Sequence, residues 1–545
     1  MRAILLAASL TLTFMAGTAA AQSSQEQEKQ ELLELRNTVV ILLQSLVEQG
    51  VLTSEQASEM VARAQADAAA AAASEPELRD DDVRVTYVPQ FVRDEIREEL
   101  REELGPQIVA DVKSEARDEG WGVPAALPNW LRRVRISGDI RSRAQGVFFA
   151  SDNAVGTYLD FNAVNQAGGI DLAGFDALRN TTEDRAFLDG RIRVALTANL
   201  SDNVSAGFRV TTGDLNIPVS ANQILGGDGQ RWDTAVDRAY LRYNSNPDRT
   251  LGQTLVFGRM DKPFVGGELI WDNDFGFEGA YYATEWRSSG QENRLKFGIG
   301  YFPIREIEFT SDDATLASAE LLGTIGVTDD ASISLAAAYH VYDNITGIRN
   351  APDSDLTDFT APTFLQRGNT LFDIRNDLDP ATNLFALAAE FEILNISARA
   401  AVEFPSGQQL SFTADYVRNL GYDEDDVRAR TGLDIDERTE GYEAMFRLGR
   451  QPVWERRPEG FEQGWEQGDW SVLAGYRYVQ RDAVVDAFTD SNLGRGATDV
   501  EGYVVSFEYA FIDDFWLRLR YFSSSEIDGP PLAIDNLQLD LNARF

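Results

Sequence analysis

Cysteine is absent from the 545 residues, so neither disulfides nor thiolate metal sites hold this chain together. Histidine occurs once, as His340, which leaves a serine-type hydrolase a single candidate base, and no nucleophile-elbow motif supplies the serine. His340 shares a strand face with Ser334 and Ala338 and reads as part of a wall. Beyond the N-terminus no window holds the ~18 unbroken apolar residues of a spanning helix; the nearest, Thr38 to Val47, is interrupted by Gln44 and Ser45. Basic residues are in the minority, 49 against 88 acidic, and the net charge of −39 argues against a nucleic-acid partner. The acidic runs lack calcium-loop spacing, and neither a metal site nor a cofactor is expected.

What is present begins with an address. Met1 to Ala21 carries Arg2, an apolar stretch from Ile4 through Phe14, and small residues Ala19 and Ala21 at signal-peptidase spacing, so cleavage is expected before Gln22. An exported chain without a spanning helix can still embed in a membrane as a closed barrel, which satisfies every backbone group internally. The last twelve residues point there. Leu537, Leu539, Leu541, Ala543 and Phe545 alternate with Asn536, Gln538, Asp540, Asn542 and Arg544, giving one lipid-compatible face and one polar face. A strand that ends the chain on Phe545 is the usual close of a bacterial outer-membrane barrel, with Phe545 read as the barrel-assembly signal.

Two-residue alternation runs from Arg135 to the C-terminus, and long connections alternate with tight ones. The expected fold is an all-β transmembrane antiparallel barrel over 134–545 with sixteen strands, eighteen being the alternative. The strands read as 134–149, 184–200, 203–214, 234–245, 251–264, 275–288, 291–303 and 316–328. They continue as 331–343, 383–404, 409–420, 440–450, 469–481, 499–511, 514–525 and 534–545. The stretch 383–404 could be divided at Leu394-Asn395, but that would put the acidic segment Tyr422 to Glu440 on the tight-turn side, so parity favours one bulged strand.

Ahead of the barrel the pattern is helical. Residues 22–75 read as a hairpin: Glu31 to Val47 stops at Gly50, and Thr53 with Gln56 forms a capping box for a second helix. Residues 76–133 hold a third segment, with Val92, Ile96, Leu100, Leu104, Ile108 and Val112 at every fourth position, then a linker with Pro124 and Pro128. A four-residue step drifts around a helix and Gly105-Pro106 interrupts it, so a short trimeric coiled coil is one of two open readings.

Several blocks, in order, resemble the putative porin family of Gram-negative bacteria: VLTSEQA at 51–57, GWGVPAALPNWL at 120–131, RISGDIRSR at 135–143, DRAYLRY at 237–243, GRMDKPF at 258–264 and WDNDFGFEG at 271–279. The resemblance covers nearly the whole mature chain. It implies an outer-membrane pore for small hydrophilic solutes or ions, not an enzyme, with the helices in the periplasm. Homotrimers are common among porins of this size. Outer-membrane lipid, lipopolysaccharide and the barrel-assembly machinery are the implied partners. The rival expectation is a structural tether whose helices bind peptidoglycan or a periplasmic partner.

Strand parity then assigns the lumen. On the second strand Leu188, Ile192, Val194, Leu196 and Leu200 share one face, and Asp189, Arg191, Arg193, Thr197 and Asn199 the other. The same rule turns Arg135, Arg141, Arg143, Arg209, Arg238, Arg242, Arg477, Arg518 and Arg520 inward. Arginine stays charged and offers a planar fork to carboxylate or phosphate; the alternative is bracing by luminal Asp139, Asp189 and Asp415. Trp271, Asp272, Asn273 and Asp274 follow Gly266-Gly267 and form either an inward constriction or a surface turn. The acidic runs around Asp353 to Asp358 and Asp423 to Glu437 read as solvated outer loops.

Overall fold

The computed structural model describes residues 133–245, 250–288, 293–308, 310–377, 379, 381–450 and 464–545. The expected signal peptide, the helical hairpin and all but the last residue of the third segment and linker lie outside the described residues. Among the described residues no helix is long and apolar enough to cross a membrane.

Alternation builds the wall. The strands are β1 (Val134–Phe149), β2 (Arg185–Asn199), β3 (Val204–Thr212), β4 (Thr234–Asn244), β5 (Leu251–Met260), β6 (Phe277–Arg287), β7 (Arg294–Arg305) and β8 (Ala314–Thr328). They continue as β9 (Ala331–Asp343), β10 (Glu392–Glu403), β11 (Gln409–Asn419), β12 (Glu440–Gly449), β13 (Trp470–Val479), β14 (Val500–Ile512), β15 (Phe515–Glu526) and β16 (Ala533–Arg544). Each pairs antiparallel with its sequence neighbours, and β1 pairs with both β2 and β16, so the sheet closes. The sheet has 17 strands when the two-residue piece Gln223–Ile224 beside β2 is included, and 16 without it.

The closed sheet is inside-out relative to a water-soluble protein. On β16 Leu537, Leu539 and Leu541 are 40–44% exposed, while Asn536, Gln538, Asp540 and Asn542 are buried. β2 repeats this with Leu188, Ile192 and Val194 outward and Asp189, Arg191 and Arg193 inward. A bilayer stabilises the first set and a polar lumen the second.

One strand differs from its expected span. Only Glu392–Glu403 of 383–404 belongs to the wall, unbroken across Leu394-Asn395, whereas Phe385–Leu387 pairs with Leu371–Asp373 in a separate two-stranded ribbon. The reason is composition: Leu384, Ala386, Leu387, Ala388, Ala389 and Phe391 are all buried, so this run does not alternate and needs cover on both faces. It finds that cover inside the barrel mouth, in a hydrophobic cluster with Leu365, Phe372, Trp271, Phe275, Val484 and Val485. Long connections therefore fold inward over one end of the barrel. A short helix, Phe161–Ala167, seals them from the side, with Asn162 bonded to Leu365 and Asn165 to Phe385. The acidic run at 423–437 holds a second short helix, Glu424–Thr431, capped by Asp423.

At the other end the turns are tight, except that residues 450–469 join β12 to β13. Of these, Trp465 returns to stack on Trp516, ring centroids 5.6 Å apart. Phe545 completes the wall at this end: its amide donates to Gly138 O at 3.0 Å and its carbonyl accepts from the Gly138 amide at 2.8 Å.

Candidate functional site: the charged waist

Residues 261–276 leave the end of β5 and cross the interior. Lys262 Nζ donates to Gly266 O at 2.8 Å and closes the first bend. The Val265 amide then donates to Glu320 on β8 at 2.8 Å. Gly266 has φ +127°, and Gly267 lies against Asp415 of β11 and Glu443 of β12 with no room for a side chain, which is why two glycines stand here. Trp271 is fully buried, edge-on to His340 at 5.5 Å and stacked on Phe275 at 5.8 Å. His340 Nδ1 shares a hydrogen bond of 2.8 Å with Ser318, and the ring serves as packing for the loop. The Trp271-Asp272-Asn273-Asp274 segment is thus folded inward and is not a surface turn.

Beyond Trp271 the loop turns acidic. Asp272 accepts from the Ser491 amide and hydroxyl at 2.9 and 2.8 Å, and Glu268 accepts from Asn273. Asp274 reaches β2, 3.3 Å from Arg191 and 3.5 Å from Arg193. Burial raises the Asp272 carboxyl well above its ordinary value, with Asp274 and Glu268 adding repulsion. Glu268 is raised by burial and by Asp490. Burial would also raise Asp274, but Arg191 and Arg193 outweigh it and hold that carboxyl far below the usual range.

Facing this loop is an arginine wall. Arg141, Arg143, Arg191, Arg193, Arg518 and Arg520 border a cavity of about 70 Å³ that Glu268, Asp272 and Asp274 also line. Most of these arginines are braced. Arg143 Nε lies 2.7 Å from Asp540, Arg193 Nη2 2.7 Å from Asp139, and Arg191 Nη2 3.1 Å from Asp139. Arg518 pairs with Glu508, and Arg520 lies 3.8 Å from Asp540.

The remaining expected lumen residues lie off this cavity. Arg209 binds Asp237 at 2.6 Å and so joins β3 to β4, whereas Arg238 reaches Asp261 at 3.3 Å and Phe275 O at 3.1 Å and fastens wall to loop. Arg477 is clamped by Glu443 at 2.5 Å and Asp490 at 2.6 Å. Asp415 accepts from Ser397, and Asp189 stands opposite Arg143 in register. Arg242 is half-buried on Asn244, and Arg135 is exposed near the tight-turn rim.

The carboxylates that do most of this bracing, Asp237, Asp274, Glu443, Glu508 and Asp540, are not the ones parity singled out. Asp237 has a specific reason. A bulge between Arg209 and Val210 leaves Asp237 as the extra residue of β4, so it turns inward beside Arg238 instead of alternating with it.

A family model described as putative porin matches residues 36–545. A comparison with curated proteins finds no match. Solved structures that align include OprB of Pseudomonas putida at high pH, 11% identical over 76% of this chain and 94% of that one, with a TM-score of 0.41. The outer membrane channel DcaP of Acinetobacter baumannii is 12% identical over 76% and 97%, TM-score 0.37. An anion-selective porin from Comamonas acidovorans is 11% identical over 76% and 99%, TM-score 0.39.

Proposed function

This chain belongs to the putative porin family, and on that premise we propose that it passes small hydrophilic solutes across the outer membrane by diffusion through the charged waist. The observation that carries the reading is the loop 261–276. It narrows the interior while leaving a cavity lined by arginines of the wall and acidic residues of the loop. Charges fixed in that arrangement act on a partly dehydrated solute, where screening is weak.

The arginines serve two roles in this reading. Arg143, Arg191, Arg193 and Arg518 are neutralised by carboxylates and stiffen the wall, while Arg141 presents charge to solutes. The inward segment around Trp271 is the constriction. Phe545 is the assembly signal, a homotrimer is the assembly, and the long-loop end faces outward. Residues 22–120 would then lie in the periplasm.

Conductance of the purified chain in a planar bilayer tests the reading. Stepwise ohmic openings that admit neutral sugars are expected. A barrel that inserts but never conducts would favour a structural tether.

A further inference from the structure

The waist holds charges of both signs without a direct ion pair among the described residues, and they line one cavity, Arg141 from the wall strand β1 and Glu268 and Asp272 from the inward loop. On the strand side, Arg141 is 6% exposed, donates to Asn222 Oδ1, and leaves its Nε without a partner. Among the described residues no carboxylate lies within ion-pairing distance of it, in contrast to Arg143, Arg191 and Arg193. A desolvated guanidinium held only by a neutral amide gains strongly when an anion reaches it. On the loop side, Glu268 and Asp272 are held by neutral donors alone: Asn273, Ser491 and the Asp274 amide. Their carboxyls are raised by burial and by acidic neighbours, with Arg477 and Arg520 opposing that rise at Glu268 without reversing it.

A simple anion would satisfy Arg141 but sit beside two acidic groups that have no direct ion pair. A simple cation would meet the opposite conflict. A solute with both charges resolves both and leaves the net charge of the cavity unchanged. We propose that the waist binds a small zwitterion of the α-amino-acid class, its carboxylate on Arg141 and Asn222 and its ammonium on Glu268 and Asp272. This inference rests on the diffusion reading above and names its solute class. Binding has to be weak enough for release, so it acts by raising flux at low solute concentration.

The test is uptake into liposomes bearing the full-length protein, with L-serine, 3-hydroxypropionate (serine without its ammonium), ethanolamine (serine without its carboxylate) and neutral L-arabinose. Each flux is taken relative to arabinose. Serine is expected to saturate and to exceed both single-charge analogues by about tenfold, the effect of one charge-assisted hydrogen bond. Arg141→Gln and Glu268→Gln should each bring the serine ratio down to that of the analogues. A misfolded variant loses arabinose flux as well, and Glu268, on a loop outside the wall, provides the independent arm. A wild-type serine ratio equal to that of 3-hydroxypropionate or ethanolamine overturns the zwitterion site while arabinose entry keeps the diffusion reading intact. So does a serine ratio unchanged in both variants. Failure of every solute to enter overturns the diffusion reading itself.

Discussion

Asp274 Oδ1 lies 3.3 Å from Arg191 Nη1 and 3.5 Å from Arg193 Nη1, so one carboxylate at the far side of an inward loop ties that loop to two arginines of β2. Both arginines also share Asp139. Removing them uncovers two carboxylates at the waist.

The expected consequence for Arg191→Ala with Arg193→Ala is a shift toward cations. With the Arg191 and Arg193 charges removed from Asp139 and Asp274 in a poorly screened space, the anion-to-cation permeability ratio should fall on the order of tenfold. Reversal potentials in a salt gradient measure it. An unchanged ratio would mean that these four groups do not face the conducting path.

Trp271 anchors the same loop by packing. Trp271→Ala should cost about 3–5 kcal/mol of that anchoring. Conductance should rise, and protease should gain access to residues 261–276 in the folded barrel. A variant with unaltered single-channel conductance would show that the polar contacts of Val265, Asp261, Asp272 and Asp274 fix the loop without Trp271.

The loop 480–499 should respond to pH. Burial pushes the Asp482 and Asp486 carboxyls up to about 6. A carboxyl raised in the packed state above its exposed value favours packing below about 4 and loses that contribution as pH rises through about 6. The effect is up to about 3 kcal/mol for each group between the low-pH and high-pH limits. Asp490, lowered because Arg477 outweighs its burial, has the opposite sign and acts only below its ordinary value. Hydrogen-exchange protection factors across 480–499, which divide out the base-catalysed intrinsic rate, should therefore be higher at pH 5 than at pH 8, and Asp486→Asn should narrow the difference. Lower protection at pH 5 than at pH 8 would refute it.

Topology can be read with single cysteines because the chain has none of its own. Leu356→Cys, in the long connection after β9, should be labelled on intact cells, and Ser406→Cys, in the tight turn after β10, should not. The reverse pattern would invert the barrel. A companion truncation lacking residues 22–120 should still insert and conduct, since closure involves only β1 to β16.

Much of the wall was legible because the lipid and water faces of a strand differ by one residue. Leu539 and Asp540 differ by 41% against 0% exposure, and their sequence alternation says so directly. Legibility failed where that period failed. The run 384–391 has no polar face, so its burial under other loops looked like a strand. Asp237 sits on a bulge, which reverses its side without changing its neighbours in sequence. The bracing by Glu443 and Glu508 depends on register: Glu443 stands opposite Arg477 and Glu508 opposite Arg518, pairings that alternation within one strand does not specify. The inward loop had one local signal, Gly266-Gly267, and its destination depended on contacts with β8, β11 and β12.

The paired hydrogen bonds between Phe545 and Gly138 end the seam that closes the sheet. The seam joins residues nearly the whole barrel apart, as in the Arg143–Asp540 contact with a separation of 397 residues. β1 therefore keeps one unpaired edge until β16 emerges, and an exposed edge invites pairing with other chains. Such distant pairing is also slow. Loss of a few C-terminal residues would therefore remove the Gly138–Phe545 pair and shorten the seam, which pairs Ile534 through Arg544 with Phe149 through Asp139.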